Sequence, residues 1–148
     1  MRYHETIIRV RGYHLDLYGH VNNARYLELL EEARWSLLED GRGLDFWQER
    51  GLGFLVAAIT INYRRPARLG DDLLIRSFAG RVGGRSAVIH QDVLNRASGE
   101  RVADADVTFV VVDMKTGRPV ALDDDLREAL AAGLTAGDDD APGPEATP

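Results

Sequence analysis

Four strand-length segments follow one another between residues 54 and 113, and the turns between them are short. Glycine marks each change of direction: Gly70 precedes two aspartates, Gly83 and Gly84 form a pair typical of tight hairpins, and Gly99 follows a serine. Strands joined by short turns run in opposite directions, so the sequence predicts an antiparallel meander. On its third strand, His90 is interpreted as an outward-facing or interface residue. The four predicted strands span 54–64, 73–82, 85–95 and 101–113.

A single long helix is predicted ahead of these strands, from Tyr26 to Leu38. Its apolar positions cover close to half of the helix circumference, taking roughly 100° per residue, which is more than a helix needs to lie on a flat surface. A helix enclosed by a curved sheet does need such a wide apolar arc, and a first strand over 5–13 adds to that sheet. We therefore expect an α+β fold, with one curved antiparallel sheet of about five strands around one central helix.

Two charged residues fall within or beside the apolar arc of this helix. Glu31 and Arg34 are three residues apart, which allows them to form a half-exposed salt bridge with each other. The alternative is that they anchor the helix in a partly buried site. The sequence leaves both interpretations open.

Chemically active groups concentrate between the first strand and the long helix. Asp16 provides a carboxylate, and His20 provides an imidazole, a group that often serves as general acid or base. Gly19 turns the chain between them, and Asn22 or Asn23 is predicted to be the helix N-cap. The first backbone N–H groups of a helix have no acceptor within it, so they are expected to point at whatever lies in front of the helix.

Composition limits the choice of function. The 148 residues carry a formal net charge of -6, which argues against nucleic acid as the main partner. The absence of cysteine excludes disulfides, cysteine-based zinc sites and a thiol nucleophile. The sequence shows no cluster of metal ligands, no signal peptide and no apolar segment long enough to span a bilayer, so a cytoplasmic location is the default expectation.

The chain is interpreted as one domain over 1–135. Two shorter helices are predicted within it, over 44–50 and over 123–134, and Asp123 is the predicted N-cap of the second. Residues 136–148 are rich in aspartate and proline and have little apolar surface to bury, so we expect a disordered acidic tail.

The segment before the long helix is similar to a known protein family. The run Asp-Leu-Tyr-Gly-His-Val-Asn-Asn-Ala-Arg-Tyr over 16–26, with Glu-Glu-Ala-Arg over 31–34, resembles the hot-dog-fold thioesterases. It is similar to the branch that contains 4-hydroxybenzoyl-CoA thioesterase and the short bacterial acyl-CoA thioesterases, and its His-Val-Asn-Asn part resembles the plant acyl-carrier-protein thioesterases. Weaker similarities lie at 62–71 and 112–119, and the resemblance covers roughly residues 5–122.

This resemblance implies a catalytic set. An acidic residue at the position of Asp16 is catalytic in the family, and a backbone N–H at the position of Asn23 binds the thioester carbonyl. Many bacterial relatives carry histidine at the position of Asn23, whereas here the imidazole comes earlier, at His20. Plant-type enzymes have been linked to a further histidine and cysteine, and this chain has no cysteine. We expect Asp16 to act as general base or nucleophile and the Asn23 amide as oxyanion donor, while the role of His20 stays open.

Substrate contacts are expected on both sides of the catalytic groups. Gly19 brings these groups together, and Tyr26 opens the helix behind them. Arg64, Arg65 and Arg68 form a basic cluster that suits the phosphates of coenzyme A or the acidic helices of a carrier protein. A solvated strand end explains the same cluster equally well.

The sequence therefore predicts a thioesterase that hydrolyses an acyl-CoA or acyl-carrier-protein thioester to the free acid and thiol. No metal or separate cofactor is expected, because coenzyme A or phosphopantetheine enters as part of the substrate. Similarity to the family implies homodimers or homotetramers with active sites shared across the dimer interface. Two alternatives remain: a hot-dog hydratase or dehydratase acting on an acyl thioester, and a non-catalytic protein that binds acyl thioesters.

Overall fold

A computed structural model of the chain describes residues 2–136. One antiparallel sheet of six strands packs against one long helix, α1 (Arg25–Asp40), which is the α+β hot-dog architecture that the sequence predicts. A short helix, α2 (Leu44–Glu49), follows α1, and another, α3 (Asp124–Ala131), follows the last long strand. The strands are β1 (Arg2–Arg9), β2 (Leu52–Tyr63), β3 (Asp72–Val82), β4 (Ser86–Asn95), β5 (Arg101–Asp113) and the two-residue β6 (Thr135–Ala136).

The apolar arc of α1 faces the sheet. Leu30 and Ala33 are completely buried, and they belong to one core cluster with residues of β3, β4 and β5. Leu27 and Trp35, on the flank of the arc, remain 39% and 43% exposed. The helix is therefore buried along its centre and keeps one apolar flank at the surface. Its buried residues are Tyr26, Leu29, Leu30, Ala33 and Leu37.

The order of the strands in the sheet is β2-β5-β4-β3-β1-β6, so the predicted meander is wrong at its first step. β2 pairs with β5 instead of β3, and the connection 64–71 crosses three strand spacings, about 14 Å, at the end of the sheet. Backbone bonds hold it there: the N–H groups of Arg64 and Arg65 donate to the Val102 carbonyl at 2.8 and 3.1 Å. This crossing places the connection beside the segment that precedes α1.

A buried polar link joins α1 to the sheet. The Arg34 guanidinium donates to Gln91 Oε1 at 3.0 Å, and the Gln91 amide donates to the Leu30 carbonyl at 3.1 Å and to Ser77 Oγ at 3.0 Å. Burial lowers the pKa of Arg34, and the nearby Glu31 carboxylate partly opposes that shift. Anchoring of the helix is confirmed for Arg34 alone, because Glu31 is exposed and accepts the Trp35 indole N–H at 3.3 Å.

Residues 123–136 contribute the last helix and the last strand of the described structure. Asp123 caps α3 as predicted, since its carboxylate accepts from the Leu126 N–H at 2.9 Å. Ala136 pairs with Arg2, so that β6 extends the sheet beyond β1. The rest of the predicted tail lies outside the described residues. No helix within residues 2–136 is long and apolar enough to cross a membrane.

Candidate active site

The residues between β1 and α1, 10–24, form what we call the site loop. Its two arms are tied together, because the Asp16 N–H donates to the His20 carbonyl at 2.8 Å and the Asn22 N–H donates to the His14 carbonyl at 2.8 Å. A further bond, from the Val21 N–H to the Ala67 carbonyl at 2.9 Å, attaches the loop to the connection 64–71. The loop is thus held in place by the crossing connection that the sequence did not predict.

The Asp16 carboxylate organises the tip of the site loop. Its Oδ1 atom accepts the backbone N–H groups of Tyr18 at 2.8 Å and His20 at 3.2 Å. Gly19 donates its N–H to the Asp16 carbonyl at 3.2 Å and adopts a φ of +76°, which glycine reaches without steric cost. No donor within residues 2–136 reaches Oδ2 of Asp16. One carboxylate oxygen therefore shapes the loop and the other is available for chemistry.

The predicted N-cap is wrong in its detail. Ala24 occupies the position directly before α1, and no side chain caps the first helical turn. The Asn22 side chain instead accepts the Ala24 N–H at 2.8 Å, while its backbone carbonyl accepts the Arg25 N–H at 2.9 Å. Asparagine forms such a local turn with the residue two positions ahead as readily as it caps a helix. The turn ends where α1 begins.

The Asn23 amide is the unused donor at this turn. The N–H groups of Asn22, Ala24 and Arg25 all donate to acceptors. In the part of the chain that the structure describes, the Asn23 N–H has no acceptor, and the residue is exposed. The positive end of the α1 dipole lies directly behind it. A free N–H at the start of a helix is suited to stabilise an oxygen that gains negative charge.

Two tyrosines lie next to the start of α1. Tyr26 is buried, and its ring meets the Tyr63 ring edge-on at 5.5 Å. Burial, with smaller contributions from Tyr63, Asp16 and Asp71, raises the pKa of Tyr26 to about 12, so its hydroxyl stays protonated at neutral pH. The Tyr63 hydroxyl donates to the Asn23 carbonyl at 2.8 Å. The sequence analysis assigned no role to Tyr63, although this residue lies at a predicted strand end and within the segment 62–71 that resembles the family.

The two histidines of the site loop differ in their surroundings. His14 is buried, and its Nδ1 atom accepts the Arg11 N–H at 2.9 Å. Burial and the nearby Arg25 lower the pKa of His14, which favours the neutral ring. The His20 ring is partly exposed, and no hydrogen bond to it occurs among residues 2–136. A catalytic role for His20 stays a prediction.

Within residues 2–136, the guanidinium groups of two arginines of the basic cluster form ion pairs with carboxylates, and that of the third, Arg68, forms none. Arg64 binds the Asp104 carboxylate, with Nε 2.8 Å from Oδ2, and Arg65 lies 3.6 Å from Glu100. The exposed Arg68 forms an isolated β-bridge with His20, which brings its backbone to the site loop. Of the three predicted arginines, Arg68 is therefore the one whose backbone is bridged to the site loop.

A large apolar cavity lies at the other end of α1. Its volume is about 580 Å³, and α1, α2, α3 and strands of the sheet all contribute to its wall. None of the residues 13–26 lines it, and Glu31, the first α1 residue that does, lies about 12 Å along the helix from Asn23. The cavity and the candidate catalytic groups are thus separate but both adjoin α1. The wall includes Leu38, Trp47, Phe54, Phe109, Leu130 and Ala131.

His90 lies on the face of the sheet that points away from α1, in agreement with the sequence. Its ring is held between two carboxylates, with Nδ1 2.7 Å from Asp106 and Nε2 2.8 Å from Asp92. Burial acts to lower the pKa of His90, but the hydrogen bonds and charges of these two carboxylates outweigh it, so the pKa is raised. This group is structural, because it lies on the opposite face from the site.

His90 makes the stability of the fold depend on pH. Because its folded-state pKa exceeds the unfolded value of about 6.5, its contribution is complete below that pH and is lost as pH rises through the raised pKa. We expect the difference in free energy of unfolding between wild type and His90→Gln to shrink as the pH rises above about 6.5. Urea unfolding between about pH 6 and 9 measures it, and a difference that stays constant would contradict the assignment.

Comparison with known proteins gives a consistent result. A family described as the thioesterase-like superfamily matches residues 10–130. The long-chain acyl-CoA thioesterase FadM of Escherichia coli K12 is 49% identical over 126 residues, which are 85% of this chain and 96% of that protein. The chloroplastic acyl-acyl carrier protein thioesterase ATL3 of Arabidopsis thaliana is 30% identical over 129 residues, 84% of this chain and 66% of that protein. The crystal structure of YbaW, a probable thioesterase from Escherichia coli, has a TM-score of 0.82 and 47% identity, and covers 89% of this chain and 99% of that one.

Proposed function

The chain belongs to the thioesterase-like superfamily, and we propose that it hydrolyses the thioester of a long-chain acyl-CoA to the free acid and coenzyme A. The observation that carries this proposal is that two hydrogen-bonding groups of the site loop have no partner within residues 2–136. One is the Oδ2 atom of Asp16, and the other is the Asn23 N–H. A thioester needs a nucleophile and a stabiliser for the developing oxyanion, and these groups supply both.

The Asn23 N–H binds the thioester carbonyl oxygen in this proposal. As water or a carboxylate adds to the carbonyl carbon, the oxygen gains negative charge, which the N–H and the dipole of α1 stabilise. By analogy with other oxyanion holes, one such donor contributes about 3–4 kcal/mol. Because the turn 22–25 is already hydrogen-bonded, the donor does not need to reorganise when the substrate binds.

Asp16 supplies the attacking group in one of two ways. As a general base, its Oδ2 takes a proton from water while the water oxygen bonds to the carbonyl carbon. As a nucleophile, Oδ2 bonds to that carbon and forms a mixed anhydride, which water then hydrolyses. In both routes the C–S bond breaks and the thiolate of coenzyme A leaves and takes up a proton. The geometry is compatible with either.

The apolar cavity is proposed to hold the acyl chain. Its volume of about 580 Å³ is in the range of small-molecule sites, and its wall is mostly apolar. Since the cavity begins about 12 Å along α1 from Asn23, only the distal part of a long chain reaches it. The name of the FadM relative, a long-chain acyl-CoA thioesterase, supports this length preference. The alternative substrate is an acyl-carrier-protein thioester that carries the same acyl group.

Filling the cavity should shorten the preferred acyl chain. Ala131 lines the cavity, whereas the neighbouring Ala132 is exposed and does not. We expect Ala131→Phe to lower kcat/KM for hexadecanoyl-CoA by about tenfold relative to octanoyl-CoA, because lost methylene contacts cost roughly this much. Thiol release from both substrates measures the ratio. Ala132→Phe is the matched control and should keep the wild-type ratio; an equal change in both variants would contradict the proposal.

Coenzyme A is proposed to lie over the connection 64–71. Two observations support Arg68 as a phosphate ligand: its backbone is bridged to the site loop at His20, and the residue is exposed. Arg64 is committed to Asp104 and has a structural role instead. Arg65, which lies 3.6 Å from Glu100 on the surface, is the second candidate for phosphate binding.

The protein is proposed to form a homodimer through the free edge of β2. Within residues 2–136, β2 pairs with β5 alone, and its Leu55 and Val56 side chains are 53% and 46% exposed. An apolar, unpaired edge strand favours pairing with a second copy. Trp35, on the exposed flank of α1, adds apolar surface. Assembly of such dimers into tetramers and a cytoplasmic location stay predictions of the sequence.

A further inference from the structure

The last residue of β2 makes one hydrogen bond to the turn that presents the Asn23 N–H. The Tyr63 hydroxyl donates to the Asn23 carbonyl at 2.8 Å and so links the edge of the sheet to the start of α1. The Asn23 carbonyl belongs to the peptide unit that also contains the Ala24 N–H. That N–H donates to the Asn22 side chain at 2.8 Å. This one peptide unit is therefore fixed at both of its polar ends.

We propose that Tyr63 is a positioning residue for the oxyanion donor, which acts by clamping the 23–24 peptide from its carbonyl side. The proposal rests on the proposed function, because it gives the Asn23 N–H the role of donor to the thioester carbonyl. With the 23–24 peptide clamped, and with the Asn22 N–H and carbonyl both bonded, the Asn23 N–H is fixed in one direction.

Tyr63 is itself held by rigid structure. Its backbone is paired with Ala103 of β5, and its ring packs edge-on against Tyr26 at 5.5 Å with an interplanar angle of 63°. Tyr26 is buried in the core under the site. A donor that is supported in this way by the sheet and the core holds its position better than a turn on a loop alone.

The clamp should matter for turnover more than for folding or binding. Tyr63 is half-exposed, so water replaces its hydroxyl at the Asn23 carbonyl when the hydroxyl is removed. The turn then keeps its other hydrogen bonds but loses the contact that aligns it with the sheet. A small displacement of a donor weakens the transition state selectively, because the oxyanion charge develops only there.

Tyr63→Phe removes the hydroxyl and keeps the ring that packs on Tyr26. We expect kcat for hexadecanoyl-CoA to fall about threefold to tenfold, as the loss of one hydrogen bond predicts, with KM within about twofold of wild type. The thermal midpoint should stay unchanged. Tyr13→Phe is the matched control, since Tyr13 lies on the site loop, is 72% exposed, and its hydroxyl has no partner among residues 2–136. If Tyr63→Phe has the kinetics of Tyr13→Phe, the proposal is overturned.

Asn23→Pro removes the donor itself. A double-mutant cycle of Tyr63→Phe with Asn23→Pro therefore shows whether Tyr63 acts through the Asn23 N–H or independently of it. Single-turnover rates with enzyme in excess keep the slow variants measurable. If Tyr63 acts through the Asn23 N–H, then Tyr63→Phe has no further effect in the Asn23→Pro background. The same fold-loss in both backgrounds overturns the proposal. Failure of the proposed function itself is seen separately, as the absence of thiol release from hexadecanoyl-CoA by the wild-type protein.

Discussion

Replacement of Asp16 by Asn is expected to lower kcat for acyl-CoA hydrolysis by at least about 100-fold, because the variant loses the proton acceptor or nucleophile of the reaction. The fold should persist, since the Asn Oδ1 atom still accepts the Tyr18 and His20 N–H groups that Asp16 Oδ1 accepts. Only the Oδ2 atom, which has no donor within residues 2–136, is replaced by an amide nitrogen. Thiol release at saturating substrate measures the effect, and thermal unfolding verifies that the fold is intact.

A surface carboxylate provides the control for this variant. Asp125 is exposed in the first turn of α3, away from the site loop, so Asp125→Asn makes the same chemical change without touching the site. Its kcat should equal that of the wild type. If Asp16→Asn also retained most of its turnover, Asp16 would be only the residue that shapes the loop.

Asn23→Pro is expected to lower kcat by about 100- to 1000-fold, which is the usual cost of deleting one oxyanion donor. Proline has no backbone N–H, so the substitution removes the proposed donor directly. The turn tolerates it, because Arg25 bonds back to the Asn22 carbonyl and Asn23 is the second residue of that turn, where proline is favoured. The rate of thiol release from hexadecanoyl-CoA measures the loss.

Asn23→Ala separates the backbone from the side chain. The Asn23 side chain makes no hydrogen bond within the described part of the chain, and alanine retains the N–H. We expect Asn23→Ala to keep kcat within a few-fold of wild type. An equal loss in the alanine and proline variants would assign the function to the side-chain amide and would refute the backbone donor.

The parts of this structure that local patterns specify were predictable. The wide apolar arc of α1 and the strand-length segment 101–113 depend on neighbours close in sequence, and both elements occur where the sequence predicts them. Asp16 and Gly19 were identified because a carboxylate and a turn residue stand in one short loop with a recognisable motif. The Asp123 cap of α3 is local in the same sense.

The remaining features depend on contacts between residues far apart in the sequence. The pairing of β2 with β5 cannot be read from turn length, because the connection 64–71 looks like a hairpin turn but crosses the sheet. Tyr63 lies 40 residues from Asn23, and Arg34 lies 57 residues from Gln91. The Asn22 turn escaped prediction for another reason, since the same side chain satisfies a cap and a local turn equally well.

We propose that this chain hydrolyses the thioester bond of acyl-CoA. The most direct measurement is to incubate the purified protein with hexadecanoyl-CoA and to quantify free thiol and free acid together. We expect both to appear in equal amounts, with saturable kinetics and many turnovers per enzyme. Water addition to an unsaturated acyl chain without thiol release would indicate a hydratase. Binding without any product would indicate a carrier. Either result would contradict thioester hydrolysis by this protein.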